Sequence, residues 1–496
     1  MKLSELVAAL PAGTRIMGDL ATEITGLADH SGSVKPGFLF VSVPGTFKDG
    51  HEYISDAIAH GAAAVVAQRD FDAPPAVARV IVANSHVALS ALADRFFGSP
   101  ARRIRRLAGV TGTNGKTTVA FLLKQIAQTH GYTPGIIGTA GVLVGETELG
   151  KGSLTTPGAI ELHEILARMS GAGVDLVSME VSSHALQQHR ADHLRFDAAA
   201  FTNLTHEHLD YHGDMEHYYA AKARLFGLLK GGAVAVTNLD DEYGRRLVHD
   251  IPPGAQLLTY SQVGAADLQA EGVELDSAGG TRYRLSTPYG SADVYTPNLF
   301  GRYNVSNALA AVGMALGLGM PFASVCAALQ RAQGAPGRYE AVDLGQNFRV
   351  IVDYAHTPDG FSKLLESVAH IKAGGRILMV FGSAGGGRDK TKRPIMGRIA
   401  AQYADVIILT EEDTRWEDTQ EIMAMIAEGT RGYNRQVEMI EDRLIAIDRA
   451  IALARPGDLI LILGKGNETF LAVNHATTYH GDVAAASDSL ERRLRG

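Results

Sequence analysis

Gly109-Val110-Thr111-Gly112-Thr113-Asn114-Gly115-Lys116-Thr117-Thr118 is the stretch on which the reading of this chain turns. The run RRLAGV (105–110) precedes its loop, and VAFLLKQIAQ (119–128), a good helix, follows it. A strand, a glycine-rich loop and a helix in that order turn backbone N–H groups and a helix N-terminus toward one anion. Gly112, Thr113, Asn114, Gly115, Lys116, Thr117 and Thr118 would line such a site. Lys116 can reach the β- and γ-phosphates of a nucleotide, and the Thr117 hydroxyl can hold Mg²⁺. The spacing departs from the strict phosphate-loop pattern, whose first glycine falls here on Val110. A lysine between small residues can also be an ordinary loop; the placement between strand and helix favours a nucleotide site.

The same α/β signature extends outward from the loop. Short apolar runs such as VDLVSMEV (174–181), AVAVTN (233–238), RVIVDY (349–354), RILMVFG (376–382), DVIILT (405–410) and DLILILG (458–464) alternate with amphipathic segments of helical length. Runs of this kind suit strands buried on both faces of a largely parallel sheet. At 496 residues the chain has room for about three domains of roughly 150 residues. The basic stretch ARRIRR (101–106) and the Gly/Pro-rich QGAPGR (333–338) suggest boundaries. Domains are therefore expected over 1–100, 101–333 and 334–496.

Composition excludes several classes. A formal net charge of -8 speaks against coating nucleic acid, which wants a basic excess. One cysteine, Cys326 in the apolar ASVCAAL, forbids an intramolecular disulfide and reads as a buried, inert thiol. The first residues lack a continuous apolar core, so no signal peptide is read, and no run reaches the ~18 residues of a membrane span. A cytoplasmic protein without membrane partners is expected.

The string GVTGTNGKTT resembles the form seen in the Mur ligases and their folylpolyglutamate synthetase relatives. LTTPGA (154–159), EVSSHALQQHR (180–190), FTNLTHEHLDYHGDMEHYYAAKARLF (201–226), GRYNVSNALAA (301–311), PGRYE (336–340), DYAHTPD (353–359), GGGRDKTKRP (385–394) and GKGNE (464–468) follow in that family's order. The resemblance covers essentially the whole chain. It implies a three-domain α/β architecture with a central P-loop parallel-sheet domain and a C-terminal Rossmann-like domain. It also implies an ATP- and Mg²⁺-dependent peptide-bond-forming ligase of peptidoglycan synthesis, working as a monomer on small molecules. Within the family, the combination is similar to the branch that adds a diamino acid to the D-glutamate of a UDP-linked muramyl dipeptide.

The residues make chemical sense in those roles. A carboxylate resists attack by an amine until it is activated, and a nucleotide loop can transfer the γ-phosphoryl to it, giving an acyl-phosphate. Negative charge develops in both steps, so cations should gather near Lys116. Glu180 ends one strand and His208 lies just beyond the next, so the two are expected to meet in one crevice. The resemblance makes them ligands of a second Mg²⁺. Lys222 reads from its helix as a solvated lysine; the resemblance makes it a carbamate (N6-carboxylysine), an anionic oxygen donor of the kind Mg²⁺ takes. Asn304, Arg338, Asp353 and His356 match ATP-holding positions. From the residues alone, Asn304 can instead cap its helix, and Arg338 can pair with Glu340.

For the UDP-linked substrate, the resemblance selects Leu27, Ser31, Thr46, Phe47 and Lys48 in the N-terminal segment, then Thr155, Thr156, Ser182, Gln188 and Arg190. In the N-terminal segment the family's Asp-Ser-Arg stands as His30-Ser31-Gly32. For the incoming amino acid it selects Arg388, Gly464 and Glu468, with Glu468 on a distal ammonium. The specificity loop, usually Asp-Asn-Pro-Arg, reads Glu412-Asp413-Thr414-Arg415. The retained Arg415 favours a distal carboxylate and hence diaminopimelate. Asp413, an acid in place of the amide, leaves lysine or ornithine open. A phosphate-loop ATPase or kinase that forms no peptide bond is the competing class; coupling of phosphate release to acceptor and amine separates the two.

Overall fold

The computed structural model describes the whole chain except residues 46–47, 151–153, 277–278, 370–373, 474–478 and 496. Its strands form three sheets. In the first, Ala78–Ile81, Ala64–Ala67, Phe38–Val41 and Gly26–Ala28 run parallel in that spatial order, and Arg15–Met17 lies antiparallel at the edge. These strands are three or four residues long, and the helix Ser85–Phe96 packs Ala88, Leu89 and Leu92 against them.

The second sheet has eleven strands. Its centre is parallel, with Arg106–Thr111 between Leu176–Glu180 and Phe196–Phe201. Continuous burial along Leu107, Ala108, Val110, Leu176 and Ala198 explains why these strands read as unbroken apolar runs. Both edges are antiparallel: a hairpin over Gly141–Val144 and Thr147–Gly150 on one side, a meander over Leu268–Leu275, Thr281–Thr287 and Gly290–Thr296 on the other. The helices Lys116–Thr129 and Arg302–Gly317 lie together on one face, where Val119, Leu123, Leu309 and Val312 share a core.

The third sheet has the order Glu340–Ala341, Arg349–Asp353, Leu459–Leu463, Ile377–Phe381, Val406–Leu409, Gln436–Met439, and all but the first strand run parallel. The carboxyl ends of neighbouring parallel strands open on one crevice, the usual ligand position in such sheets. Four loops therefore meet there, carrying Asp353, Ser383, Glu412 and Gly464. Arg443 and Asp482, both fully buried, form an ion pair at 2.7 Å behind that edge. Arg443 also donates to the carbonyl of Leu463, 2.8 Å away, and so fixes the turn into Gly464. Cys326 is half-buried against the central core rather than fully enclosed. Among the described residues, no helix is long and apolar enough to cross a membrane.

Candidate active site

The phosphate loop and the four loops of the third sheet face each other across a cavity of about 800 Å³. Thr113, Asn114, Gly115, Lys116, Thr117 and Thr118 form one wall, with Thr155, Glu180 and His208 beside them. Arg338, Asp353, His356, Arg388, Glu412, Asp413, Arg415, Gly464 and Glu468 form the other.

Loop geometry explains its glycines. Gly115 has φ +90, and a Cβ there would strike Asn307 Oδ1; at Gly112, φ +148, it would strike Thr202 Oγ1. Lys116 folds back onto its own loop, donating to the carbonyls of Gly112 (2.9 Å) and Thr113 (2.8 Å). Burial lowers its pKa, while Glu180 and Glu207 act in the opposite sense. Thr117 Oγ1 donates to Glu180 Oε2 at 3.0 Å, and Thr139 donates its N–H to the other carboxylate oxygen at 2.9 Å.

Several contacts tie the two walls together, among them His206 Nε2 to Asp389 Oδ2 at 3.5 Å. Arg338 lays its guanidinium on the Tyr354 ring, 4.1 Å from the centroid, and donates to Thr117 Oγ1 at 3.2 Å. Glu340 instead accepts from the Gly337 N–H, so the alternative Arg338–Glu340 pair is not formed. Asn114 Nδ2 donates to Asp359 Oδ2 at 2.8 Å. Glu207, which the sequence reading did not single out, meets His356 Nε2 at 3.3 Å. Burial opposes ionisation of Glu207, but His356 outweighs it and holds the carboxyl well below its usual range.

His208 and Glu180 both line this cavity. Arg106–Thr111 stands between the strand that ends at Glu180 and the strand Phe196–Phe201, and His208 lies seven residues past Phe201. His208 occupies the left-handed region at φ +57, with its ring edge-on to His184 at 4.9 Å and to Tyr218 at 6.2 Å. Burial pushes His208 down to about 3 and His184 to about 4, so both are neutral imidazoles near neutral pH. Lys222 is fully buried, not solvated: its Nζ donates to the Gly112 carbonyl at 2.8 Å and lies 4.5 Å over the Tyr218 ring.

Asn304 does not cap its helix, whose N-cap is Gly301; it donates to the Phe300 carbonyl at 2.9 Å and stands behind the cavity. Asn307, one turn later, donates to Asn304 Oδ1 at 3.1 Å and lines the cavity in its place. Asp353 accepts from the N–H groups of Tyr339 (2.6 Å) and Ala355 (2.7 Å), which occupies both carboxylate oxygens.

The residues expected to hold the UDP-linked substrate divide between two places. Thr155 reaches the cavity, where it accepts from Thr139 Oγ1 at 3.0 Å. Arg190, Gln188 and Thr156 form a cluster at the seam with the first sheet: Arg190 donates to Gln188 Oε1 (2.6 Å) and to the Thr156 carbonyl (2.8 Å). Ser182 caps the helix Ser183–Gln187 and bonds to Thr156. Leu27 and Ser31 are buried near the first sheet and Lys48 is exposed, all away from the cavity; Thr46 and Phe47 lie outside the described residues.

The amino-acid wall carries a network that the sequence did not reveal. Lys465, 1% exposed, bridges Asp413 Oδ1 (2.9 Å) and Glu468 Oε2 (2.5 Å), and Tyr354 donates to Glu468 Oε1 at 2.9 Å. Thr414 is buried behind Asp413 and does not reach the cavity. Arg388 and Arg415 line the cavity, and among the described residues neither side chain has a hydrogen bond or an ion pair.

The oxygen donors Thr117 and Glu180 fit Mg²⁺, which characteristically takes one or two protein oxygens beside phosphate and water. Lys222 as an ammonium does not fit it; as a carbamate it does. Among the described residues, no three His, Cys, Asp or Glu side chains gather into a cage of their own.

Comparison with known proteins agrees with this layout. Residues 110–315 match the Mur ligase middle domain, 337–466 the Mur ligase glutamate ligase domain, and 23–97 the Mur ligase family catalytic domain. The chain is 42% identical over 464 residues to the UDP-N-acetylmuramyl-tripeptide synthetase of a Roseiflexus species, covering 90% of each chain. It is 40% identical over 499 residues to a UDP-N-acetylmuramoyl-L-alanyl-D-glutamate--2,6-diaminopimelate ligase of Geobacillus kaustophilus, covering 99% of this chain and 100% of the other. A solved structure of a ligase of that same name superposes with a TM-score of 0.68 at 28% identity, over 100% of this chain and 99% of the other.

Proposed function

The chain belongs to the Mur ligase family, and on that footing we propose that it joins a diamino acid, meso-diaminopimelate, to the D-glutamate of UDP-N-acetylmuramoyl-L-alanyl-D-glutamate at the expense of ATP. One observation carries the choice of amino acid. Opposite the phosphate loop, Arg388 and Arg415 present two guanidiniums with no acceptor among the described residues. A substrate with two carboxylates beyond its reacting amine satisfies both, through paired N–H donors that suit a carboxylate.

The chain's own groups suggest the course of the reaction. The phosphate loop takes ATP, and Lys116 leaves its own carbonyls for the β- and γ-phosphates. Mg²⁺, held by Thr117, Glu180 and the Lys222 carbamate with neutral His208 beside them, would neutralise charge on the phosphates and the reacting carboxylate. Arg338, stacked on Tyr354, is aimed at Thr117 and so at the phosphoryl being transferred. The D-glutamate carboxylate accepts the γ-phosphoryl and becomes an acyl-phosphate. The amine then attacks that carbonyl, the C–N bond forms, and phosphate leaves with the C–O electron pair. Thr155 and the Arg190 cluster are suited to the muramyl peptide, and the first sheet to its uridine end. Asn307 and Asp353 lie toward the nucleotide. A cytoplasmic monomer agrees with substrates of this kind.

Phosphate release tests the reading. A ligase releases phosphate only when muramyl dipeptide and amine are both present, whereas equal hydrolysis without them would identify an ATPase.

A further inference from the structure

Glu412 stands three residues past the strand Val406–Leu409, where the loops of the third sheet meet the cavity. It is only 5% exposed, and its Oε2 has no hydrogen-bond partner among the described residues. Nor has it an ion-pair partner among the described residues. Lys392 on the helix Lys392–Tyr403, His356, Arg443 and Lys465 surround it from four different elements, but each acts at a distance. Burial raises its pKa. Native structures seldom leave a buried carboxylate oxygen unanswered, because its desolvation is not offset.

The surroundings indicate what answers it. Gly464, at φ +110, passes so close that a Cβ there would strike Glu412 Oε2, so only a glycine permits this approach. A buried carboxylate oxygen that opens on the cavity without a donor suits a ligand that donates N–H bonds from a charged centre, which is an ammonium. The incoming amino acid supplies it. Its carboxylates have Arg388 and Arg415, and Glu468 is already bridged by Lys465 and Tyr354. Glu412 lines the same cavity as the phosphate loop, with His356 among the charges around it.

We propose that Glu412 receives the α-ammonium of the incoming amino acid and takes one of its protons, leaving the free amine that attacks the acyl-phosphate. The step balances without an added reagent. The ammonium gives one proton to the Glu412 carboxylate, and the nitrogen lone pair forms the new C–N bond. Phosphate departs with the C–O pair, and the second proton leaves nitrogen for the departing phosphate. Glu412 then loses its proton to solvent. The assignment rests on the ligase reading above.

The test compares diaminopimelate with hydroxylamine, an amine that is largely unprotonated at neutral pH and traps acyl-phosphates as hydroxamates. Glu412→Gln should lower kcat with diaminopimelate on the order of 10²-fold, the usual worth of a positioned base. It should leave ATP- and dipeptide-dependent hydroxamate formation near the wild-type rate. Glu412→Asp, which keeps a carboxylate, should fall between the two with diaminopimelate. If the ratio of the two rates is unchanged in both variants, Glu412 is not the base. If the wild-type enzyme makes no hydroxamate, the ligase reading itself fails.

Discussion

Lys116 and Lys222 donate to one and the same acceptor, the carbonyl oxygen of Gly112, over 2.9 and 2.8 Å. Two ammonium groups sharing one oxygen in a buried site repel each other. Burial and then Lys116 drive the Lys222 pKa well below its ordinary value, with Glu207 the opposing charge. A neutral amine is the form that adds to CO₂, so the contact that disfavours a lysinium also prepares the carbamate. Native mass spectrometry in bicarbonate should show one added CO₂, absent from Lys222→Ala. That variant should lose activity on the order of 10²- to 10³-fold, the cost of a lost charge-stabilising group, and regain part of it with formate or acetate. An unmodified wild-type mass together with a fully active variant would remove the carbamate.

The hydrogen bond from Asn114 to Asp359 reaches from the phosphate loop to the third sheet's first helix, and Asp359 also pairs with Lys363 at 2.9 Å. Closure of the two walls should therefore depend on Asp359. Asp359→Ala is expected to lower kcat/KM for ATP by about tenfold, the effect of one lost charge-assisted hydrogen bond. Steady-state kinetics checks it; unchanged constants would show that the other contacts between the walls hold them without Asp359.

The parallel centre of each large sheet was legible because strands buried on both faces must be apolar throughout, as Leu459–Leu463 and Ile377–Phe381 are. The phosphate loop was legible because its glycines answer a backbone demand that few other residues meet. Strand order was not. Nothing local says that Arg106–Thr111 inserts between Leu176–Glu180 and Phe196–Phe201. Asn307 was missed because Asn304, one turn earlier, carries the same side chain at the same helix start. Lys465 stood unread between Gly464 and Glu468, since a lysine after glycine in a loop looks solvated until burial shows otherwise.

His163, fully buried where the helices Ser85–Phe96 and Ala159–Gly171 meet, has no hydrogen-bond partner on either ring nitrogen among the described residues, and Asp94 Oδ1 stays 3.6 Å away. Burial pushes its pKa down to about 4. A base with a depressed folded pKa binds its proton more readily when unfolded. Its contribution is therefore complete above the unfolded pKa of about 6.5 and declines as pH falls toward about 4. His163→Leu should flatten that decline, read as urea midpoints across the window. An acid-side loss identical to wild type would place the sensitivity elsewhere.

Arg443 and Asp482 are both fully buried, and Tyr479 hydrogen-bonds the same carboxylate at 2.5 Å. Removing one partner leaves an uncompensated charge, so Arg443→Ala should destabilise the third domain by about 3–5 kcal/mol. The turn at Leu463 should loosen with it, since Arg443 holds that carbonyl. Chemical denaturation reads the first effect and the KM for diaminopimelate the second. A loss below about 1 kcal/mol, the scale of an exposed pair, would contradict the geometry.

Asp413 and Arg415 stand two residues apart on the cavity wall, and their surroundings differ. Asp413 Oδ1 is already taken by Lys465 and by the Ala472 N–H, both at 2.9 Å, so its charge is spent within the wall. Arg415 lines the cavity with no acceptor for its guanidinium among the described residues, and its backbone is pinned by the 2.7 Å bond from its N–H to the Ala472 carbonyl. A distal carboxylate completes that guanidinium; lysine and ornithine leave it desolvated and unpaired. Truncating one partner of such a pair costs about 2–5 kcal/mol, or roughly 30- to 5,000-fold. Arg415→Ala should therefore reduce kcat/KM for diaminopimelate within that range while changing lysine turnover little, so that discrimination narrows. Asp413→Asn, which removes a charge that Lys465 already balances, should leave the preference for diaminopimelate in place. Competition among diaminopimelate, lysine and ornithine, read as product ratios, checks both. Undiminished discrimination in Arg415→Ala, or a switch to lysine on Asp413→Asn, would transfer the choice of substrate to another residue.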